Sequence, residues 1–281
     1  MTPETPLVSI IVISHNYGRF LAEAIESALA QTYSPFEVLV IDDGSTDDSV
    51  DVARRYVDRV RVLTQANLGV ERAGNRAVDE AHGEYVVRLD ADDVLEPTHV
   101  EELWRALRRS PDAAYAYCRP RLFGARSGLM RCLPFSAYVL VKRANFVPAT
   151  ALTAKADFVA VGGYSEDLGE HALEDWDLWL RLLEAGRRGT YVREPLVRWR
   201  RHPEGSRNPE SAQRIEDAIA FMRNRHRSLG RRMDDWRGRL FYALDLAVAA
   251  ADLVVGFSRW PRAVQAIERA SWRRFQRWHL P

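Results

Sequence analysis

Four apolar runs rich in β-branched residues, each followed by a segment of helical periodicity, fill the first 110 residues and leave few folds open. LVSIIVIS (7–14) is nearly continuous in its apolarity, as expected of a parallel strand buried on both faces. FEVLVI (36–41) repeats the pattern, RVRVLT (59–64) alternates like a less buried strand, and YVVRL (85–89) is apolar but for one arginine. Between them, residues 17–31 put Phe20, Leu21, Ala24, Ile25, Ala28 and Leu29 on one helical face. A second helix carries Val50, Val52, Ala53 and Val57, with Ser45 or Thr46 as its cap. A third runs from about Val70 to His82, and THVEELWRALRR makes a fourth with Pro97 in its first turn. Such alternation predicts right-handed crossovers and an α/β fold: a Rossmann-like, mostly parallel open sheet flanked by helices.

In a parallel sheet the polar ends of these strands share one edge, where open α/β sheets bind ligands. Ser14, His15, Asn16 and Tyr17 follow the first strand; Asp42, Asp43, Gly44 and Ser45 follow the second. Gln65, Asn67 and Gly69 follow the third, and Asp90, Asp92 and Asp93 the fourth. Three carboxylates within four residues repel one another, and a bound Mg²⁺ or Mn²⁺ would stabilise them. An acidic helix N-terminus favoured by the macrodipole is the competing explanation, as turn chemistry is for Asp42–Ser45. No G-x-G-x-x-G follows the first strand and no Walker A motif occurs, which disfavours NAD binding and P-loop ATPase activity.

With 281 residues, 47% hydrophobic and 28% charged, the chain has material for a sizeable core. The formal net charge of +1 argues neither for nor against a polyanion, and no nucleic-acid partner is expected. Arginine is dense and acids are few beyond about residue 221, so the main body is net acidic. Two cysteines, Cys118 and Cys132, are too few for a disulfide framework or a zinc site. With no secretory pattern at the N-terminus, reduced thiols and a cytoplasmic location are expected.

The middle of the chain is less regular. DAAYAYCRPRLFG reads as a strand pair across Arg119–Pro120, and Gly162-Gly163 as a turn permitting close backbone approach. EDWDLWLRLLEAG (174–186) turns Trp176, Trp179, Leu180 and Leu183 towards the core. Its acids Glu174, Asp175 and Asp177 fit either capping or a second chemical centre. LVRWRRHPEGSR adds His202, a candidate metal ligand or diphosphate contact, with Arg200, Arg201 and Arg207 able to screen phosphate charge. The stretch 204–210 has the composition of a loop that closes over a ligand. Residues 210–229 form an arginine-rich helix, and 240–257 are long enough to suggest a membrane span. Asp245 and Asp252 oppose that, favouring a helix packed on the catalytic domain or on a homodimer partner. The basic and aromatic segment 258–281 suits an anionic membrane interface.

VSIIVISHNYGRFLAEAIESALAQTYSPFEVLVIDDGSTDDS, QANLGV, GEYVVRLDADD, VGGYSEDL and EDWDLWLRL together resemble the inverting family 2 glycosyltransferases of GT-A fold, over about residues 7–208 in the same order. That resemblance implies a nucleoside-diphosphate-sugar donor, Mg²⁺ or Mn²⁺, and a glycan or lipid-linked acceptor. It implies Asp43 on the base or ribose, with Ser14, His15, Asn16, Gln65, Asn67 and Arg72 also on the donor side. It implies Asp92 on the metal, joined by His202, with Asp90 beside the ribose or the metal's water shell. Asp175 would be the catalytic base, with Gly163 and Glu174 on the acceptor side. Two positions depart: Gly74 stands where many members carry arginine, and His15 where an aromatic or threonine is common. The expected organisation is a catalytic domain over 1–208, with a nucleotide half to about 110 and an acceptor half beyond, then a helical extension over 209–281. Surface polysaccharide or glycan synthesis is the implied role. A haloacid-dehalogenase-type phosphatase is the rival for D-A-D-D-V, but it places that motif on its first strand; a non-catalytic nucleotide-sugar-binding protein is the other.

Overall fold

The computed structural model describes residues 5–130, 132–142, 145–168, 173–203 and 212–232, together with 269, 272 and 273. The predicted alternation is present. β1 (Val8–Ser14), β2 (Phe36–Asp43), β3 (Arg61–Gln65) and β4 (Tyr85–Asp90) are mutually parallel in the order β3-β2-β1-β4. Every residue of β1 is buried, as its unbroken apolar run requires. The pairing levels the strand ends, with Ser14 beside Asp42, Ile13 beside Asp90 and Asp43 beside Gln65.

Helices cover both faces. α1 (Gly18–Leu29) and α4 (His99–Arg109) bury Leu21, Ile25, Leu103 and Leu107 on one side. α3 (Val70–Glu80) and α7 (Glu174–Glu184) bury Ala73, Ala77, Leu180 and Leu183 on the other. The second connector, α2 (Ser49–Arg54), is shorter than expected. Ser45 does not cap it, because its N–H and hydroxyl both go to the Asp42 carboxylate. Thr46 donates to Asn16 Oδ1 at 2.7 Å, and Val57 lies outside the helix, 57% exposed. Pro97 stands one place before the Thr98 cap of α4 rather than in its first turn.

Beyond β4 the sheet becomes mixed. The two-residue strand β5 (Val94–Leu95) precedes α4, and after it come β6 (Ala113–Gly124), β7 (Gly128–Leu129), α5 (Ala137–Lys142), β8 (Leu152–Ala154) and α6 (Lys155–Ala160), with β9 (Arg188–Arg201) after α7. β8 joins β4 and β6 antiparallel, β9 runs parallel to β6, and β5 closes the edge antiparallel to β9. The strand pair expected across Arg119–Pro120 is one strand, β6. A register shift between Cys118 and Pro120 absorbs the proline, which cannot donate to a ladder.

The predicted helix over 210–229 is two helices, α8 (Ala212–Arg225) and α9 (Arg227–Arg232). They part at His226, whose ring turns inward to Asp177 and Glu184. Ala218, Met222 and Leu229 are buried in the same hydrophobic core as α3 and α7. Residues 240–257 lie outside the described residues, as does most of 258–281; Trp272 is buried against Phe135, ring centroids 6.1 Å apart. No helix among the described residues is long and apolar enough to cross a membrane.

Asp177 ties these helices down. Its fully buried carboxylate accepts from Ser165 Oγ and Arg181 Nε at 2.6 Å each and from Arg225 Nε at 2.7 Å, and it meets His226 Nε2 at 3.0 Å. Burial alone would raise its pKa, but His226, Ser165 and Arg181 outweigh that and hold it well below the usual range. Burial would likewise lower His226, but Asp177 and Glu184 raise it instead. Asp177→Ala should therefore cost roughly 3–5 kcal/mol by leaving buried cations unpaired, measured by urea unfolding. The His226 contribution is complete below the unfolded histidine pKa of about 6.5 and is lost as pH rises through the raised folded value. The wild-type Tm should fall over that window, and His226→Asn should flatten the fall.

Candidate active site

The levelled strand ends open into a cavity of about 610 Å³ that reaches from His15, Asp43 and Asn67 to Trp199 and Ile219. At the ends of β2 and β3, Asp43 Oδ1 accepts from Gln65 Nε2 at 2.7 Å and from the Leu68 N–H at 2.9 Å, and Oδ2 accepts from the Gly69 N–H at 2.9 Å. One carboxylate thus folds the 65–69 loop. Gly69 takes a φ of 97°, open to glycine at little cost. His15 pairs Nδ1 with the Asp43 carbonyl at 2.8 Å, and its Nε2 lies 3.2–3.3 Å from the amides of Asn16 and Asn67.

Of the expected donor-side residues, His15, Asp43, Asn67 and Asp90 line the cavity. Ser14, Asn16, Gln65 and Arg72 are not among its lining residues. Ser14 is buried within the sheet, its hydroxyl unpartnered among the described residues. Asn16, at a φ of 59°, accepts from Thr46 and Asp47 and braces the loop after β2. Arg72 pairs with Glu166 at 2.8 Å on an exposed surface. Gly163 is also outside the lining, in a left-handed turn at φ 68° whose carbonyl accepts from Arg181.

The acidic cluster forms the floor. Asp92 Oδ2 and His202 Nε2 lie 2.7 Å apart, though 110 positions separate them in the chain. Arg200 steadies the same turn: its Nε donates to the Asp92 carbonyl at 2.9 Å and its N–H to Asp93 Oδ1 at 2.8 Å. Its guanidinium lies 4.3 Å from the ring centroids of both Phe20 and Phe123. Burial, then the charge of Asp90, raises the pKa of Asp92, with His202 opposing. Asp93 is raised further, by burial and then by Asp92 and Asp90. Among the described residues no cluster of three or more side chains is arranged as a ready metal cage. One carboxylate and one imidazole side by side still suit Mg²⁺ or Mn²⁺, which take few protein ligands and complete their shell with phosphates and water.

The start of α7 lines the same cavity. Asp175 accepts from Asn145 Nδ2 at 2.9 Å and from the Trp176 N–H at 2.6 Å. Burial, reinforced by Glu174 and opposed by Arg88, pushes its pKa up to about 7. Glu174 Oε1 accepts from Arg88 Nη1 at 2.8 Å, while Oε2 is enclosed without a partner among the described residues. Arg88 also donates from Nε to Asp90 Oδ1 at 2.9 Å. The sequence marked Arg88 only as a charge inside an apolar strand. Met130 and Trp199 carried no local signal, because tertiary contacts alone bring them here. Trp176 and Trp179 lie in the core as predicted, donating their ring N–H groups to the carbonyls of Leu140 and Val147, although Trp176 also reaches the cavity wall.

A parallel first half, a mixed second half and two groups of acids lining one cleft define a GT-A-type glycosyltransferase. The chain belongs to the family described as Glycosyl transferase family 2, which matches residues 9–158. It is 29% identical over 224 residues to the putative glycosyltransferase EpsE of Bacillus subtilis (strain 168), covering 76% of this chain and 80% of that one. It is 32% identical over 188 residues to chondroitin synthase of Escherichia coli, covering 64% of this chain but only 27% of that protein. Among solved structures, residues 1–349 of S. aureus TarS in complex with UDP-GlcNAc superpose with a TM-score of 0.61 at 15% identity, covering 96% and 91% of the two chains. The mannosyltransferase PcManGT from Pyrobaculum calidifontis in complex with GDP-Man and Mn²⁺ gives 0.60 at 18%, covering 96% and 86%.

The departure at Gly74 has a steric reason. A Cβ there would meet the Tyr164 ring at 2.8 Å. Asn75 locks that ring's backbone in place by donating to the Tyr164 carbonyl at 2.9 Å and accepting from its N–H at 2.7 Å. Helix propensity favours alanine by roughly 0.5–1 kcal/mol, but overpacking costs about 1–3 kcal/mol. Gly74→Ala should lower the Tm, and a raised Tm would show that the ring yields.

Proposed function

We propose that this glycosyltransferase moves a sugar from a nucleoside-diphosphate sugar to an acceptor hydroxyl with inversion, Asp175 serving as general base and Asp92 and His202 holding a divalent cation. The observation that carries the reading is the shared cavity: Asp43, Asp92 and Asp175 line one space large enough for a nucleotide sugar. The donors in UDP-GlcNAc-bound TarS and GDP-Man-bound PcManGT support the donor class. Relatives named for chondroitin synthesis support a polysaccharide or glycan acceptor.

In one displacement, the acceptor oxygen forms its bond to the anomeric carbon as the bond from that carbon to the diphosphate oxygen breaks. Asp175 takes the acceptor proton, from the same cavity that Asp92 lines. Asn145 and the Trp176 N–H fix the orientation of its carboxylate. A pKa near 7 matches a base to neutral conditions. Asp92 and His202 would bind the cation, which when present neutralises charge on the departing diphosphate. Burial and the nearby Asp90 make Asp92 a group that gains from such a countercharge. The His202 edge lies beside the rings of Tyr17 and Phe20, with centroids 5.9 and 5.3 Å away, so its place is set by packing.

Asp92→Asn should remove the Mn²⁺-dependent rise in Tm that UDP or GDP produces. Asp175→Asn should keep that rise yet lower nucleoside diphosphate release from a panel of nucleotide sugars by roughly 10²–10⁴-fold. Near-normal turnover by Asp175→Asn would overturn the base assignment. Because only the ionised carboxylate accepts a proton, kcat should fall as pH drops through about 7.

A further inference from the structure

Among the described residues, Arg88 is the buried cation that pairs with both acidic centres. It stands in the centre of the sheet, 8% exposed, in a strand otherwise apolar up to Leu89. A charge there is costly unless fully paired. Its pairing is directional: Nε donates to Asp90 Oδ1 at 2.9 Å, Nη1 donates to Glu174 Oε1 at 2.8 Å, and the guanidinium lies 5.5 Å from the Tyr164 ring centroid. Asp90 belongs to the turn that carries Asp92, and Glu174 is the immediate neighbour of Asp175. The planar fork therefore joins the acidic turn to the start of α7, a two-point contact that a point-like ammonium would not reproduce.

We propose that Arg88 is a positioning residue of the transfer reaction, holding the floor and the α7 wall at a fixed separation and supplying the positive charge that balances Glu174 beside Asp175. The proposal rests on Asp175 being the base. The charged and titratable groups facing Asp175 are Glu174 on α7, Arg88 and Asp90 from β4, and the Tyr164 phenol, with the neutral Asn145 amide bonded to it. Arg88 is the cation in that set, and Glu174 and Asp90 are the anions. Removing one sign or the other must displace the proton affinity of Asp175 in opposite directions, which a merely structural role would not do.

The test measures the pH dependence of nucleoside diphosphate release, using UDP-GlcNAc or GDP-Man with Mn²⁺, whichever is turned over. Arg88→Met should move the acid limb of kcat upward by about one to three pH units, and Glu174→Gln should move it downward by a similar amount. Arg88→Lys keeps the charge but not the fork, so its limb should stay near the wild-type position while kcat falls. Far-ultraviolet circular dichroism and Tm identify folded variants, and if Arg88→Met fails to fold, Glu174→Gln carries the comparison with Arg88→Lys. Limbs that stay put in the folded variants, or move in the same direction, overturn the proposal. If Asp175→Asn is inactive while those limbs stay put, only the role of Arg88 is lost; if Asp175→Asn remains active, the base reading itself has failed.

Discussion

Arg88 and Glu174 lie 86 positions apart, and their 2.8 Å contact joins the first half of the sheet to the start of α7. Three buried or half-buried carboxylates crowd this region, and each pays a desolvation cost that only a nearby positive charge offsets. The guanidinium pairs directly with Asp90 and Glu174 and reaches Asp175 only through space, where burial and the anionic neighbour outweigh it. The two adjacent acids of α7 are thereby made different. Glu174 is tied to a cation, and Asp175 is held near neutrality by burial. Two like residues at one helix end thus stand in unlike environments.

Polar residues at the strand ends divide in a similar way. Asp42 and Asn16 spend their oxygens on the backbone and hydroxyls of the turn before α2. Asp43 orders the 65–69 loop from inside the cavity, so a group read as a ligand contact is also the scaffold for its neighbours. Its carboxylate has lone pairs left for a ligand, but its position is set before any ligand arrives. That preorganisation lowers the ordering cost of binding.

The chain beyond residue 208 is not a mere appendage. Ala218 and Ile219 of α8 contribute to the cavity wall, and Asp177 anchors the same helix through Arg225 and His226. The acid that anchors α8 sits two residues from the proposed base on α7. Loosening the C-terminal helices would therefore be felt at the site through one turn of helix.

The first four strands, their parallel order and the edge at which they bring His15, Asp43, Asn67 and Asp92 together could be read from the residues alone, because apolar runs of period two and three and a half are local properties. So could the two acidic motifs, as spacing along the chain. Local pattern has no access to pairing between distant segments. It split β6 at a proline that the sheet absorbs as a bulge. Only the folded chain brings His202 to Asp92, Asn145 to Asp175 and Arg88 between Asp90 and Glu174. Apart from the local Arg88–Asp90 bond, those contacts join side chains 30 to 110 positions apart, and burial together with the partners each carboxylate meets then sets its proton affinity.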